Sequence, residues 1–210
     1  MKALFSITLV LFFSGFLYGN IYFWVDENGT KHFTNVTPPE GETVEELLES
    51  HKAFEKLTTG EDSKQKFKVL KIFDGDSLQI TAVDLVFSIR LVGIDSPEIG
   101  TGDQQSQPFS REAKAYLETL LNNREVALKS HGADGYHRQL AEIFVDGKNV
   151  NIEMIKQGLA EVYKGIPPKT LDLEIYIKEE KQAKKTGKGI WKLGKSYKSP
   201  KQWRRENPRK

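Results

Sequence analysis

The sequence predicts a mainly β fold with helices, of the α+β class: a five-stranded Greek-key barrel packed by three helices, preceded by a small β-hairpin and helix module. Three observations carry this. Five stretches between residues 68 and 145 alternate or run apolar between turn residues, as strands do. Their order with the helical patterns, three strands, a helix, two strands and two more helices, is that of a small barrel covered by helices. Ahead of them, two β-prone runs flank an Asn-Gly pair, the strongest short hairpin signal.

A chain of 210 residues and 23.9 kDa holds one good-sized domain and a small module. With 38% hydrophobic and 29% charged residues, a disordered chain and a multi-span membrane protein are both excluded. Residues 1–19 stand apart. Lys2, the apolar run Ala3–Tyr18 and Gly19 follow the plan of a secretory signal, so export to the periplasm or the medium is expected. The large Leu17 leaves the cleavage site undefined. A retained anchor is the weaker reading, because the run is shorter than the roughly 20 residues that span a bilayer; once the signal is cleaved, no stable span is left. Cysteine is absent, so neither a disulfide nor a lipid attachment follows export. The net charge of +2 hides an asymmetry: residues 20–66 carry ten acidic and five basic side chains, residues 192–210 one acidic and eight basic. The second stretch, a basic C-terminal tail, is read either as a solvated terminus or as an attractor of polyanions.

Element by element, residues 20–57 form the module. Ile21–Val25 and Lys31–Asn35 make the hairpin across Asn28-Gly29, and Pro38-Pro39 ends it. Thr43 and Glu46 form a capping box that opens a helix with Val44, Leu47, Leu48, His51, Phe54 and Leu57 on one face. On its aromatic-Trp-Val-Asp-x-x-Gly hairpin and trailing Pro-Pro, the module resembles a short domain of unknown function found behind signal peptides in bacterial envelope proteins. That implies location, and an envelope partner through residues 20–57. Polar residues 58–66 are a linker. Strands follow at Lys68–Phe73, Ser77–Val83, Val86–Val92, Glu125–Lys129 and Leu140–Val145. Helices are expected at Ser110–Leu121, with Ala113, Tyr116, Leu117 and Leu120 on one face; at Val150–Gln157, ended by Gly158; and at Leu171–Thr186, stopped by Gly187. These elements make a domain over 67–191.

The chemistry gathers where the third strand ends. Asp74 and Asp76, two apart, face one side of a starting strand. Asp95 follows the strand Val86–Val92, beside Ser96 and the restrictive Pro97. An all-oxygen set of Asp76, Asp95 and a loop carbonyl, completed by water, suits a hard divalent cation. Glu98 stands where a carboxylate can face a cation-bound water, as a general base must. Arg90 lies in an otherwise apolar strand and needs an anionic partner, an internal carboxylate or a substrate phosphate. Arg138, in a loop entering a strand, supplies a second fork. Two arginines opposite a cation are suited to the charge that builds on a phosphorane-like transition state. Each acid taken singly is as well explained as a turn or cap residue.

In order along the chain, Asp74-Gly75-Asp76-Ser77, Arg90-x-x-Gly93-Ile94-Asp95-Ser96-Pro97-Glu98, Asp134-x-Tyr136-x-Arg138, Asn151-x-x-Met154-Ile155-x-x-Gly158-Leu159-Ala160 and Gly189-Ile190-Trp191 resemble the staphylococcal nuclease (thermonuclease) family over Phe67–Trp191. The resemblance implies an OB-fold barrel with three helices, one Ca2+, and endonucleolytic cleavage of DNA and RNA to 3′-phosphate ends. Position by position, it implies Asp76 and Asp95 as carboxylate ligands, Ser96 as a ligand through its backbone carbonyl, Glu98 as the residue that activates or positions water, Arg90 and Arg138 as phosphate-binding, and Asp74 behind them. Ser96 stands where threonine is frequent, an exchange that a main-chain contact tolerates.

Two departures bear on substrate. Gly135 occupies a position where the best-known member has lysine, so one phosphate contact is lost. Tyr136 is retained and is read as a phosphate contact, a base-stacking group or a packing residue. After Ala160 only Tyr163 remains of the usual nucleotide-stacking pair. The expected partners are DNA and RNA substrates, met by a monomer. The alternative is a catalytically inactive OB-fold module of the cell envelope that binds nucleic acid or protein; such copies usually lose the acids or arginines that this chain keeps. A third reading gives the leading role to the N-terminal module as an envelope interaction unit.

Overall fold

The computed structural model describes strands at 22–25, 31–34 and 45–46, and residues 54–58, 65–82, 85–136 and 138–208. Residues 1–19, where the signal is expected, lie outside these, as do most of the linker residues. Contacts divide the chain into two units, Met1–Leu47 and Leu48–Lys210.

In the first unit, β1 (Tyr22–Val25) pairs antiparallel with β2 (Lys31–Thr34), with Tyr22 opposite Thr34 and Val25 opposite Lys31. That is the hairpin expected across Asn28-Gly29. The helix expected to open at Thr43 is not borne out at its start: Glu45–Glu46 form a short strand, β3, on the other edge of β1. The edge of β1 offers a row of unmet backbone donors and acceptors, and pairing with it outweighs a lone capping signal. Helix does appear further on, at residues 54–58 (α1), within the second unit. There Phe54 is fully buried, with ring centroids 6.1 Å from Phe67 and 5.1 Å from Phe87. The boundary by contacts therefore falls ahead of the expected linker, and the aromatic at the end of the expected helix belongs to the barrel core.

The barrel is built from β4 (Phe67–Ile72), β5 (Ser77–Ala82), β6 (Leu85–Leu91), β8 (Glu125–Ala133) and β9 (Gln139–Val145). The first three form an antiparallel meander; β6 runs parallel to β9, β9 pairs antiparallel with β8, and β8 returns to β4, which closes the ring. This is the OB-type closed barrel, which leaves no long open edge. Period-two alternation turns Leu78, Ile80, Phe87, Ile89, Leu91, Val126 and Ile143 into the core. A two-residue β10 (Lys148–Asn149) folds back on β9.

Helix α2 (Ser110–Leu121) buries Ala113, Leu117 and Leu121, and α3 (Val150–Lys156) buries Val150, Met154 and Ile155. Asn149 caps α3, its side chain accepting from Ile152 N at 3.2 Å. The third helix, α4 (Glu174–Lys185), starts later than expected, because Leu171 packs into the core from the preceding loop. Fully buried Asn151 ties three parts together: its side chain accepts from Ile143 N and donates to Val92 O and Ala141 O, at 2.9–3.1 Å.

The C-terminal tail is folded, although most of its side chains stay exposed to water. Two short 3-10 turns within Gly189–Ser196, separated by a kink at Gly194, and a further helix, α5 (Pro200–Glu206), occupy most of it. Ser199 caps α5, Pro200 takes its first turn, and the Tyr197 hydroxyl donates to Glu161 at 2.5 Å. Buried and half-buried partners, not charge alone, hold this segment.

Candidate active site

The site is assembled where β4, β5 and β6 meet the loop after β6. Asp74–Asp76 form the bend between β4 and β5, with Asp74 accepting from Asp76 N at 2.9 Å. Gly75 has to be glycine: a Cβ there would lie 2.7 Å from Ala113 Cβ and 2.8 Å from Ser96 Cβ. Bend, helix and loop thus pack in contact, and Ser96 N donates to Asp76 Oδ2 at 2.6 Å. The loop itself turns at Gly93, whose φ of 80° favours glycine. It then enters β7 (Ile94–Asp95), paired with β11 (Glu161–Val162) so that Asp95 lies opposite Glu161.

Arg90 faces away from the core between inward Ile89 and Leu91. Its guanidinium pairs with Asp76, and its NH2 donates to Asp95 Oδ1 at 3.0 Å. Both alternatives for its anionic partner stay open here, since two terminal nitrogens bind carboxylates while the group lines a cleft. Burial works to raise the Asp76 carboxyl, but the Arg90 charge and the Ser96 amide outweigh it and hold Asp76 below the usual carboxylate range. Asp74 goes the other way: burial, and after it the charge of Asp76, pushes its carboxyl up to about 7. The paired carboxyls are thus pushed in opposite directions.

Asp76 and Asp95 are 5% and 2% exposed, and Ser96 is buried beside them. Two buried carboxylates and a main-chain oxygen, with no thiolate in the chain, fit a hard cation. Among the described residues no group of three or more His, Cys, Asp or Glu side chains gathers closely enough to hold a metal. Main-chain oxygen and water must therefore complete the shell of any cation held there.

The cleft beside these groups encloses about 980 Å3 and is lined by Asp74, Asp76, Arg90, Glu98, Arg138, Tyr136 and Tyr163 among others. Arg138 is aimed by Asp134, whose carboxylate accepts from its Nε at 2.8 Å and its NH2 at 2.7 Å. Its NH1 reaches toward Ser77 Oγ at 3.5 Å. Tyr136, 82% exposed, has its ring 5.8 Å from the Arg138 guanidinium. Tyr163 is partly exposed on the rim, its N–H donating to Gly93 O at 2.9 Å. Gly135 opens on the cleft, and a Cβ there would meet nothing within 4 Å. All the sequence-derived residues therefore converge, Asp95 and Ser96 behind the cleft wall and the rest on it.

Sequence reasoning missed two participants. Arg204 of α5 donates from NH1 to Glu98 Oε1 at 2.5 Å and to Asp95 Oδ1 at 3.0 Å, and from NH2 to Asp95 Oδ2 at 2.9 Å. Gln107 accepts from Glu98 N at 3.1 Å and donates to Lys198 O at 2.8 Å. The signal for α5 was present: Ser199-Pro200 is an N-cap followed by a first-turn proline.

The sequence matches the family described as "Staphylococcal nuclease homologue" over residues 88–193, and the "Domain of unknown function (DUF4124)" over residues 8–52. A Haemophilus influenzae protein named "Uncharacterized endonuclease" is 34% identical over 73% of this chain and 80% of its own length. The "Probable endonuclease LCL3" of Scheffersomyces stipitis is 37% identical over 60% of this chain and 56% of its own. The "SPbeta prophage-derived endonuclease YokF" of Bacillus subtilis is 33% identical over 56% and 41%. The chain spans about half the length of the latter two.

Proposed function

This chain belongs to the family of staphylococcal nuclease homologues, and on that premise we propose that it is an exported, Ca2+-dependent endonuclease acting on DNA and RNA with little sequence specificity. The observation that carries the reading is the convergence of Asp76, Arg90, Glu98 and Arg138 on one cleft, with Asp95 bonded to Arg90 behind its wall.

Asp76, Asp95 and the Ser96 carbonyl would hold a Ca2+ ion, which would supply positive charge beside the scissile phosphate. Glu98 orients a water and takes its proton as the water oxygen bonds to phosphorus. The bond from phosphorus to the 5′ oxygen then breaks, and that oxygen takes a proton from solvent water, leaving a 5′-hydroxyl and a 3′-phosphate. Arg90 and Arg138 donate to the phosphate oxygens as negative charge builds there, and Asp134 holds the second fork in place. Asp74 steadies the bend that carries Asp76. Tyr136 and Tyr163 offer faces or hydroxyls to bases or a terminal phosphate at the rim.

The test is to incubate the purified chain with denatured DNA, duplex DNA and RNA in calcium, with and without chelator, and to label the product ends. Calcium-dependent fragments with free 5′-hydroxyls are expected. Fragments with 5′-phosphates contradict the bond assignment, and cleavage indifferent to chelator contradicts the metal.

Export rests on residues 1–19: the mature N-terminus should lie near residue 20 in periplasmic or culture fractions, and recovery of the intact chain only in the cytoplasm contradicts it. The hairpin module, residues 20–57, is assigned to an envelope partner; a pull-down from envelope extract that captures nothing removes that assignment. The catalytic unit acts as a monomer, which sedimentation checks.

A further inference from the structure

We propose that the C-terminal segment is part of the active site and that Arg204 is a positioning residue, holding Asp95 and Glu98 at the spacing their chemistry requires. This rests on the nuclease reading, and it adds a residue outside the ordered motifs that carry the family resemblance.

Glu98 and Asp95 are like charges on one short loop, and they repel. The Arg204 fork lies between them, binding both oxygens of Asp95 and one of Glu98. Arginine suits this bridge because its donors are planar and fixed, whereas a lysine is a single point charge.

The segment that delivers it has a built seat. Pro200 is buried, the Tyr197 ring lies 4.8 Å from Trp191, and the Tyr197 hydroxyl is bonded to buried Glu161, opposite Asp95 in the β7–β11 pair. Gln104 Nε2 donates to Pro208 O at 2.9 Å. Gln107, 5% exposed, donates from its N to Glu98 O at 2.8 Å, accepts from Glu98 N at its side-chain Oε1 at 3.1 Å, and donates from Nε2 to Lys198 O at 2.8 Å. Glu98 is thus fixed at its backbone through Gln107 and at its carboxylate through Arg204, and both anchors lead to the same segment. The contacts of Pro200, Tyr197, Lys198 and Pro208 do not involve Arg204, so the helix presents the arginine from a fixed position.

The experiment compares the full chain with Arg204→Ala, Arg204→Lys and, as a control on the same helix, Arg205→Ala. It measures kcat and KM on denatured DNA in calcium, and amide hydrogen exchange across residues 98–107 in metal-free buffer. Misplacing catalytic groups by about 1 Å costs on the order of 100-fold in rate, so Arg204→Ala should lower kcat by roughly tenfold to 100-fold with KM nearly unchanged. Arg204→Lys should recover part of the loss. Exchange at 98–107 should quicken in Arg204→Ala while the barrel strands exchange as before, and Arg205→Ala should match wild type in both measurements. A faster Arg204→Ala enzyme would make the arginine a brake, and a rise in KM alone would make it a phosphate ligand; either overturns the proposal. So does unchanged exchange at 98–107. If wild type cleaves nothing, the nuclease reading fails, and the exchange comparison still decides whether Arg204 positions this loop. Should Arg204→Ala fail to fold, Arg204→Lys carries both comparisons.

Discussion

Arg90 stands between two carboxylates that are almost wholly removed from water, and its loss leaves Asp76 without its main counter-charge. Breaking a buried ion pair from one side costs about 3–5 kcal/mol. Arg90→Ala should therefore lower the unfolding free energy in metal-free buffer by that order, read from denaturant curves, and an unchanged midpoint contradicts the pairing. Gly135 offers the opposite experiment. Its position has open space and faces the cleft, so Gly135→Lys should fold normally and lower KM for DNA several-fold while leaving kcat nearly alone; a fall in kcat of similar size contradicts a binding role. The acids and arginines on the ordered motifs were legible because each motif is local. Arg204 was not, because the contact joins residues 106 and 109 apart in sequence, and nothing local in a run of basic residues says which one turns inward.

Glu142 on β9 holds three elements together. It accepts from His131 of β8 at 2.9 Å, from Tyr176 of α4 at 2.9 Å and from Asn149 at the cap of α3 at 2.7 Å. Burial works against its charge, but the bonds from His131, Tyr176 and Lys129 hold its carboxyl down at about 2. An acid depressed in the folded state contributes stability above its unfolded value, and that contribution is lost as pH falls from about 4.5 toward 2. Glu142→Gln should lower the melting temperature at pH near 7 and converge on wild type as pH drops through that window; a constant gap contradicts it. Strands and helices of the barrel were readable from their periods, since each buries one face. The β3 strand was not: two glutamates within a capping box carry no strand pattern, and only the open edge of β1 makes them one. The β7–β11 pair was equally hidden, being two residues on each side.

At the scale of the whole molecule, the boundary between the units decides what the barrel needs. Phe54 lies ahead of the expected linker yet packs on Phe67 and Phe87. Truncating a buried phenylalanine costs about 3–5 kcal/mol, so Phe54→Ala should destabilise the larger unit by that order, and a chain begun at residue 67 should be weaker than one begun at residue 48. Equal stability of the two fragments contradicts the seat of Phe54. The closed barrel and its helices followed from the order of elements, whereas the site is closed by the last described helix, which no order of elements announces. The basic last part of the chain takes on meaning with that helix in place, since one of its arginines binds the site acids Asp95 and Glu98. The central claim, that this cleft cleaves phosphodiesters through Glu98, is tested most directly by turnover of denatured DNA in calcium by the full chain and by Glu98→Gln. Rapid degradation is expected from the first, a loss on the order of 100-fold in kcat from the second with an unchanged melting temperature, and no turnover from either in chelator. Equal turnover by the two would contradict it.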